Sequence, residues 1–261
     1  MKLYANVITS YYQGRPNYSA AAKVLVQALE QRFANNRSIR LLDLGCGFGF
    51  HAIQLAMNKF RNITAVDNEV AMIVKFKDQV SKLQKKIQSR IKIYRDDWFN
   101  LNGEWNRENY YDCIYLLGNT IGLVGNKILF QKLFSRVTQM LKTNGLFIFD
   151  RVLFSHIDND SCPKWSEPIF HNEENKNFQL AITKNIDMNS KEGVLILHVR
   201  WVDGSIFSDE KEIYKIYQFG TVDIDNLASI FRCRIVSLID LDSEEKVEKG
   251  TNKCMWTLEK L

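Results

Sequence analysis

The sequence predicts an α/β fold, in which a seven-stranded, mostly parallel sheet carries a small antiparallel β lid inserted after the fifth strand. Two observations lead to this prediction. From residue 39 onward, short apolar runs alternate with amphipathic helical segments, a rhythm typical of βαβ units. Between residues 178 and 219 that rhythm gives way to three β-rich stretches separated by turn residues, which indicates an antiparallel meander.

The first half of the chain alternates between the two kinds of element. Predicted strands are short apolar runs, and predicted helices repeat apolar residues at spacings of three and four. Strands are expected at 39–44, 62–67, 90–95, 111–117 and 146–150, and helices at 51–57, 69–87 and 128–141. Asn144-Gly145 is expected to end the third helix, because glycine is common just past a helix C-terminus.

The second half begins with the meander and then returns to the α/β rhythm. Meander strands are expected at 178–186, 194–202 and 213–219, with turns at Asn189-Ser190 and Asp203-Gly204. Asp223 is expected to cap a short helix that buries Ile224, Leu227, Ile230 and Phe231, before two last strands at 234–241 and 253–258. The chain then divides into an N-terminal lid and helix (1–38), a cofactor-binding core (39–151), the β lid (152–220) and the completion of the core sheet (221–261).

The composition is that of a globular protein. Hydrophobic residues make up 46% and charged residues 25% of the 261 residues, and the net charge is only +5. No window approaches the roughly 18 apolar residues of a membrane span, and the first 16 residues lack the apolar run of a signal peptide. We therefore expect a cytoplasmic protein. The five cysteines are scattered without a CxxC pair, so neither a disulfide framework nor a metal site is expected.

A glycine-rich turn follows the first predicted strand and precedes the first helix of the core. Such units bind ligands at the carboxyl ends of the strands. A dinucleotide fingerprint, GxGxxG, requires a third glycine where this chain has Phe50. Asp43, just before the turn, disfavours a pyrophosphate and suits an ammonium or sulfonium group. The turn therefore favours a cationic, amino-acid-like ligand over NAD.

Further carboxylates follow the next two strands. Asp67 ends the second strand, where a carboxylate can accept both hydroxyls of an adenosine ribose. After the third strand comes Asp96-Asp97-Trp98. One of these carboxylates can reach an adenine amino group, and Trp98 can lie against the base. Together these positions favour a nucleoside ligand.

In this order, the segments at 42–49, 66–67, 97–98, 111–114 and 141–146 resemble class I S-adenosylmethionine (SAM)-dependent methyltransferases. The resemblance covers 39–151 well and 221–260 by pattern. It implies a Rossmann-like fold with an antiparallel last strand, SAM as methyl donor and S-adenosylhomocysteine as product. It places the methionine part at Asp43, Gly45 and Gly47, and it assigns the nucleoside to Asp67 and Asn68 at the ribose, Met72 against the adenosine, and Asp97 with Trp98 at the adenine.

The acceptor side is expected after the fourth strand and near the N-terminus. The segment from Leu117 through Asn119 is similar to Leu-Gly-Asn-Ser in glycine and sarcosine N-methyltransferases. This likeness places Leu117 beside the cofactor and gives Asn119 a role in positioning the acceptor; the alternative is a polar turn. Comparable family members use their N-terminal segment as a lid, which implies Tyr11 over the methyl group and Arg15 near the methionine carboxylate. Its tyrosines could instead pack on the core.

The expected function is methyl transfer from SAM to a small-molecule acceptor, at nitrogen rather than oxygen. No membrane partner is expected, and nucleic acid is the less favoured partner. Asp150 and Arg151, which end the fifth strand, are expected either to contact substrate or to form a structural ion pair. Two rival functions remain. One is a SAM-binding protein without turnover, and the other is an RNA methyltransferase that binds RNA through a basic cluster. The alternative interpretation of this cluster is a solvated helix face. The cluster consists of Lys75, Lys77, Lys82, Lys85, Lys86, Arg90, Lys92 and Arg95.

Overall fold

Two β-sheets frame the computed structural model, which describes residues 7, 16–152, 163–171, 176–203, 206–243 and 253–261. The strands are β1 (Arg40–Leu44), β2 (Asn62–Asp67), β3 (Ile91–Arg95), β4 (Tyr111–Leu116), β5 (Leu141–Val152), β6 (Ile169–His171), β7 (Lys176–Ile186), β8 (Glu192–Asp203), β9 (Ile206–Tyr217), β10 (Cys233–Asp240) and β11 (Lys253–Lys260). The helices are α1 (Pro16–Phe33), α2 (Phe50–Met57), α3 (Val70–Ser81), α4 (Lys85–Gln88), α5 (Lys127–Met140) and α6 (Thr221–Ile230), with a 3-10 helix at Thr120–Val124.

The sheet topology confirms the predicted fold. Seven strands form one sheet in the order β10-β11-β5-β4-β1-β2-β3, in which β11 runs antiparallel to both of its neighbours. The remaining pairs in this sheet are parallel. Strands β6 to β9 form a separate antiparallel sheet. The carboxyl ends of β1 to β4 therefore meet at one edge of the large sheet.

Successive strand residues supply two hydrophobic cores, one on each face of the large sheet. One core is built around aromatic side chains, with Phe149 stacked on Trp256 at 5.6 Å between ring centroids. The opposite core packs Leu41 and Ile148 against α1, α2 and α3. A third cluster, which includes Phe178, lies on the four-stranded sheet. None of the helices in the described part of the chain has the length and apolar character needed to cross a membrane.

The helix predicted over 69–87 is wrong in length, because it breaks into α3 and α4. The amide of Gln88 folds back and donates hydrogen bonds to the carbonyl oxygens of Ser81 (3.1 Å) and Leu83 (2.7 Å). These bonds satisfy carbonyl groups that the break leaves without helical partners. The side chain thus stabilises an interruption that the apolar spacing does not reveal.

Asn144-Gly145 does not end the preceding helix, as was predicted. Helix α5 ends at Met140, and Leu141 is already extended and paired with Tyr111. Asn144 adopts a left-handed φ of 62° in the irregular first part of β5. A Cβ atom on Gly145 would lie 2.8 Å from the carbonyl oxygen of Lys142. This glycine therefore permits a close backbone approach and is not a helix stop.

The last helix also differs from its prediction. Gly220 is its N-cap, while Asp223 lies in the first turn and accepts a hydrogen bond from the Gly220 N–H at 2.6 Å. Ile224 and Leu227 are buried as expected, but Ile230 is 63% exposed. Phe231 lies just beyond the helix and is half-buried.

The four-stranded sheet is larger than the predicted meander. Strand β6 was not foreseen, and β9 begins at Ile206, well before the predicted start at residue 213. The early part of β9 is rich in charged residues, so it lacks the apolar pattern by which a strand is predicted from sequence. Asp209 accepts two hydrogen bonds from Arg200 on β8, at 2.7 and 2.9 Å. Asn189-Ser190 lies in the β7–β8 turn, as predicted, whereas Gly204 lies outside the described residues.

Candidate functional site

A cavity of about 480 Å³ lies at the carboxyl ends of β1 to β4. Its floor is the glycine turn, residues 45–49, together with the ends of β2 and β3. Its far side, called here the distal wall, comes from the 3-10 helix, from α5 and from β9 of the four-stranded sheet. The distal wall consists of Thr120, Leu123, Val124, Leu129, Ile213, Tyr214 and Lys215.

The glycine turn depends on backbone conformations that favour glycine. Gly45, Gly47 and Gly49 have φ values of 68°, 53° and 83°, all in the left-handed region. A Cβ atom on Gly45 would strike the methyl group of Thr120 and lie 2.8 Å from Trp98. Above Gly47, by contrast, no described atom lies within 4 Å of such a Cβ. A ligand can therefore lie directly on the backbone at this point.

Asp67 joins the end of β2 to the glycine turn. Its Oδ2 atom accepts a hydrogen bond from the Gly47 N–H at 2.9 Å, and its Oδ1 atom accepts one from the Glu69 N–H at 2.8 Å. Burial raises the pKa of this carboxyl group, and the two backbone hydrogen bonds offset part of that rise. Because each oxygen can accept a second hydrogen bond, Asp67 can also receive hydroxyl groups of a ligand in the cavity.

The structure separates the two carboxylates after β3. Asp96 accepts hydrogen bonds from the Asp97 N–H, the Asn100 amide and the Trp105 indole at 2.7–2.8 Å, so it braces the loop. Asp97 lines the cavity and accepts a weak hydrogen bond from Asn68 at 3.4 Å. Asn68, Met72 and Trp98 line the same region. The predicted nucleoside residues therefore lie together, although their ligand contacts stay a prediction.

Asp43 is buried beneath the glycine turn. It pairs in register with Tyr115 on β4, and its Oδ2 atom has no hydrogen-bond partner among the described residues. Burial raises the pKa of Asp43 well above its usual value; the nearby Tyr115 hydroxyl lowers it in part, and the charge of Asp67 raises it further. A buried carboxylate beside an open backbone suits a cationic ligand, because a positive charge would offset the cost of burial. The sulfonium and ammonium groups of SAM fit this requirement.

The loop after β4 supplies the next part of the cavity. Leu117 and Gly118 line it, and the 3-10 helix continues from Thr120. Asn119 adopts a left-handed φ of 60° between these lining residues. Its predicted role in positioning the acceptor stays a prediction.

Asp150 and Arg151, at the end of β5, do not pair with each other among the described ion pairs. Asp150 accepts hydrogen bonds from two backbone N–H groups of the β4 loop. The Arg151 guanidinium packs over the rings of Phe219 and Trp256, at 5.4 and 5.1 Å from their centroids. The sequence predicted either a structural ion pair or a contact with substrate for these residues. In the described part of the chain they form no ion pair with each other, and neither lines the cavity.

Several cavity residues were missed by sequence reasoning. The three residues of β9 in the distal wall belong to a segment whose place over the cavity has no local signal. His51 was noticed only as the start of a helix, yet it lines the cavity. Burial lowers the pKa of His51 to about 3, so its imidazole is neutral near pH 7. Tyr11 and Arg15, expected at the lid, lie outside the described residues.

Comparison with known proteins gives a consistent result. Residues 35–221 match the model of a family described as a methyltransferase domain. A curated protein of Geobacillus sp. (strain WCH70), whose name assigns it provisionally as a methyltransferase, is 26% identical over 126 residues, or 48% of this chain and 47% of that protein. The chain thus matches about half the length of this curated relative.

Solved structures match over nearly the whole chain. A structure described as a SAM-dependent methyltransferase from Clostridium acetobutylicum has a TM-score of 0.73 and 19% identity, and covers 99% of this chain and 96% of its own. The sugar N-methyltransferase KedS8 from Streptoalloteichus sp. has a TM-score of 0.67 and 15% identity, with 94% and 90% covered. At these identities the likeness shows a common fold.

Gly49 and Gly47 provide a matched pair of substitutions. Alanine costs about 1–2 kcal/mol in the left-handed region at either position. At Gly49 the new methyl group would also strike the Phe76 ring, whereas Gly47 has open space. We expect Gly49→Ala to lower the free energy of unfolding by about 1–3 kcal/mol more than Gly47→Ala. Urea denaturation followed by circular dichroism measures both, and equal losses would contradict the described packing.

Asp43→Asn tests the buried carboxyl group. Because the pKa of Asp43 is raised in the folded protein, ionisation lowers stability as the pH rises through that pKa. The neutral amide removes this loss. We expect the free energy of unfolding of the variant, relative to the parent protein, to increase between pH 4 and pH 8. Urea midpoints across this range measure the difference, and a difference independent of pH would show that Asp43 does not carry a costly buried charge.

Proposed function

The chain belongs to the methyltransferase family, and on that premise we propose that it transfers a methyl group from SAM to a small-molecule acceptor, at nitrogen rather than oxygen. S-adenosylhomocysteine is the second product. The observation that carries the proposal is the cavity itself. It combines an open backbone at Gly47 with carboxylates that suit a positively charged nucleoside, and its distal wall is apolar enough to hold an organic acceptor.

In this proposal the glycine turn and Asp43 hold the methionine part of the donor, and Leu117 borders it. Asp67, already fixed by two backbone hydrogen bonds, accepts the ribose hydroxyls with help from Asn68. Asp97 accepts from the adenine amino group, and Met72 and Trp98 pack against the nucleoside. All of these residues except Asp43 line one cavity, and Asp43 is buried beneath the glycine turn of its floor; this placement supports the assignment.

When bound, SAM supplies a methyl group on a positively charged sulfur, which is a good leaving group. The protein then has to hold the acceptor atom in line with that methyl group, about 3–3.5 Å away, and exclude water. Leu123, Val124 and Ile213 give the distal wall an apolar surface for this purpose. We assign positioning roles to Asn119 and to Tyr11.

Two observations support nitrogen as the acceptor atom. An unprotonated amine presents its own lone pair, whereas a hydroxyl group needs a base to remove its proton. The described distal wall contains neither a carboxylate nor a histidine; the carboxylates and His51 that line the cavity lie on the side of the glycine turn, where the proposal places the donor. In addition, the structurally similar KedS8 is named as a sugar N-methyltransferase. The chain segment 152–220 would act as a lid that shapes the acceptor site, since β9 forms part of that wall.

RNA is the weaker candidate acceptor. Part of the basic cluster is engaged within the fold: Lys82 pairs with Asp78 at 2.6 Å, and Arg90 donates to the Ala56 carbonyl oxygen at 2.5 Å. These contacts favour the alternative interpretation of the cluster as a solvated helix face.

Asp67→Ala tests the donor site. The variant loses both the anchor of the glycine turn and the proposed ribose acceptor, so we expect SAM affinity to fall at least tenfold, about 1.4 kcal/mol. Isothermal titration calorimetry measures this, with circular dichroism as a check of folding. Asp112→Ala is the matched control, because Asp112 also accepts a backbone N–H (Arg40, 2.7 Å) but lies at the opposite end of the sheet. Unchanged affinity in Asp67→Ala would remove Asp67 from the site, and binding of NADH would contradict the argument from Asp43.

The acceptor class can be tested with methyl-labelled SAM. We expect label to enter amines of a bacterial small-molecule extract from which macromolecules have been removed. Parallel reactions contain total tRNA or rRNA, with and without nuclease. Label in RNA that nuclease abolishes would overturn the small-molecule proposal. SAM binding without transfer to any fraction would instead identify a SAM-binding protein without turnover.

A further inference from the structure

One buried carboxylate holds two successive backbone N–H groups beside the cavity. Asp150 Oδ2 accepts from the Gly118 N–H at 3.0 Å, and Oδ1 accepts from the Asn119 N–H at 2.7 Å. Gly118 and Asn119 both have left-handed φ values, 81° and 60°. In this turn both N–H groups point to the same side, where one anion can accept them. Here the anion is a side chain of the neighbouring strand.

The hydrogen bonds of Asp150 do not compensate fully for its burial. Burial raises the pKa of Asp150 to about 6, even though the hydrogen bonds from Asn119 and Gly118 lower it. A folded-state pKa above the unfolded value means that stability is lost as the pH rises through about 6. At neutral pH the charged carboxylate therefore costs folding free energy.

The turn that Asp150 holds joins the two halves of the cavity. Leu117 and Gly118 line it on one side, and Thr120 begins the distal wall on the other. The Thr120 hydroxyl donates to the Leu117 carbonyl oxygen at 2.8 Å, and its methyl group lies over Gly45. A shift of this turn would therefore move the distal wall relative to the glycine turn.

We propose that Asp150 is a positioning residue for methyl transfer, which fixes the turn at Gly118 and Asn119 so that the acceptor is aligned with the donor. The proposal rests on the proposed function of the cavity. Asp150 does not itself line the cavity, so it acts through the backbone of the turn. An error of about 1 Å in such alignment can slow a reaction about a hundredfold.

The contact suits an ionised carboxylate, because each oxygen accepts one N–H group. In the observed geometry each oxygen faces one N–H donor, whereas an asparagine would place an NH₂ group against one of these donors. The Arg151 guanidinium does not neutralise the charge, because it packs on aromatic rings and donates to the Phe219 carbonyl oxygen. Among the described residues, Cys254 on β11 interacts electrostatically with Asp150, Arg151 follows it on β5, and Tyr115 lies on the paired strand β4.

Asp150→Asn tests the proposal, with Asp112→Asn as the matched control. Asp112 is also a strand carboxylate that accepts a backbone N–H, but it lies at the end of the sheet away from the cavity. Transfer from labelled SAM to the small-molecule extract gives the rate, and calorimetry gives the SAM affinity. We expect Asp150→Asn to lower the rate at saturating SAM at least tenfold while SAM affinity changes less than threefold. Asp112→Asn should keep the parent rate.

A second readout starts from the parent protein. We expect the amide proton resonances of Gly118 and Asn119 to titrate together in heteronuclear NMR spectra, with a midpoint near pH 6. In Asp150→Asn this titration should disappear. Amide resonances that do not titrate, or a variant with the rate of the Asp112 control, would overturn the proposal.

The proposed function and the positioning role of Asp150 can be contradicted separately. A parent protein that does not bind SAM would contradict the proposed function, yet the titration would still decide whether Asp150 holds the turn. A parent protein that binds SAM and transfers methyl groups, with an unaffected Asp150→Asn variant, would contradict the positioning role alone.

Discussion

The anchoring of the glycine turn by Asp67 is the interaction on which the cavity depends. A left-handed turn exposes backbone polar groups that must find partners, and the Asp67 carboxylate supplies one from the next strand of the sheet. The packing of Trp98 and Thr120 over Gly45 then leaves no room for a side chain there. Because the turn is fixed from both sides, the open space is confined to Gly47, and a ligand meets bare backbone.

A second loop at this edge of the sheet is also anchored by a buried carboxylate. Asp67 and Asp150 are buried carboxylates, and each accepts at least one backbone N–H group of the loop that follows a neighbouring strand. Burial raises the pKa of both groups, so each gives up part of the stability of the fold at neutral pH. What the protein gains is precise loop geometry without occupying the cavity with side chains. Asp43 is a third buried carboxyl group with a raised pKa, and it lies below the glycine turn.

Sequence patterns could predict the parallel core and much of the cavity floor, because those residues follow strands in a fixed local order. The start of β5 and the distal wall could not be predicted in this way. The role of Gly145 depends on a contact with its own preceding loop, and β9 is recognisable as a strand only through partners such as Arg200. The approach of Tyr214 to the cavity is a tertiary contact with no periodic signal. Likewise, the division of α3 from α4 depends on one glutamine side chain.

Strand β9 has a consequence for how such an enzyme can change over time. Ile213 and Lys215 line the cavity and alternate with Tyr214 and Ile216, which pack into the separate core of the four-stranded sheet; Tyr214 also reaches the cavity. Exchanges at the outward positions would therefore leave that core intact and would not touch the glycine turn. On the proposed function, contacts with the acceptor can in this way change independently of the donor site, which makes positions 213 and 215 natural starting points for redirecting the enzyme toward new acceptors.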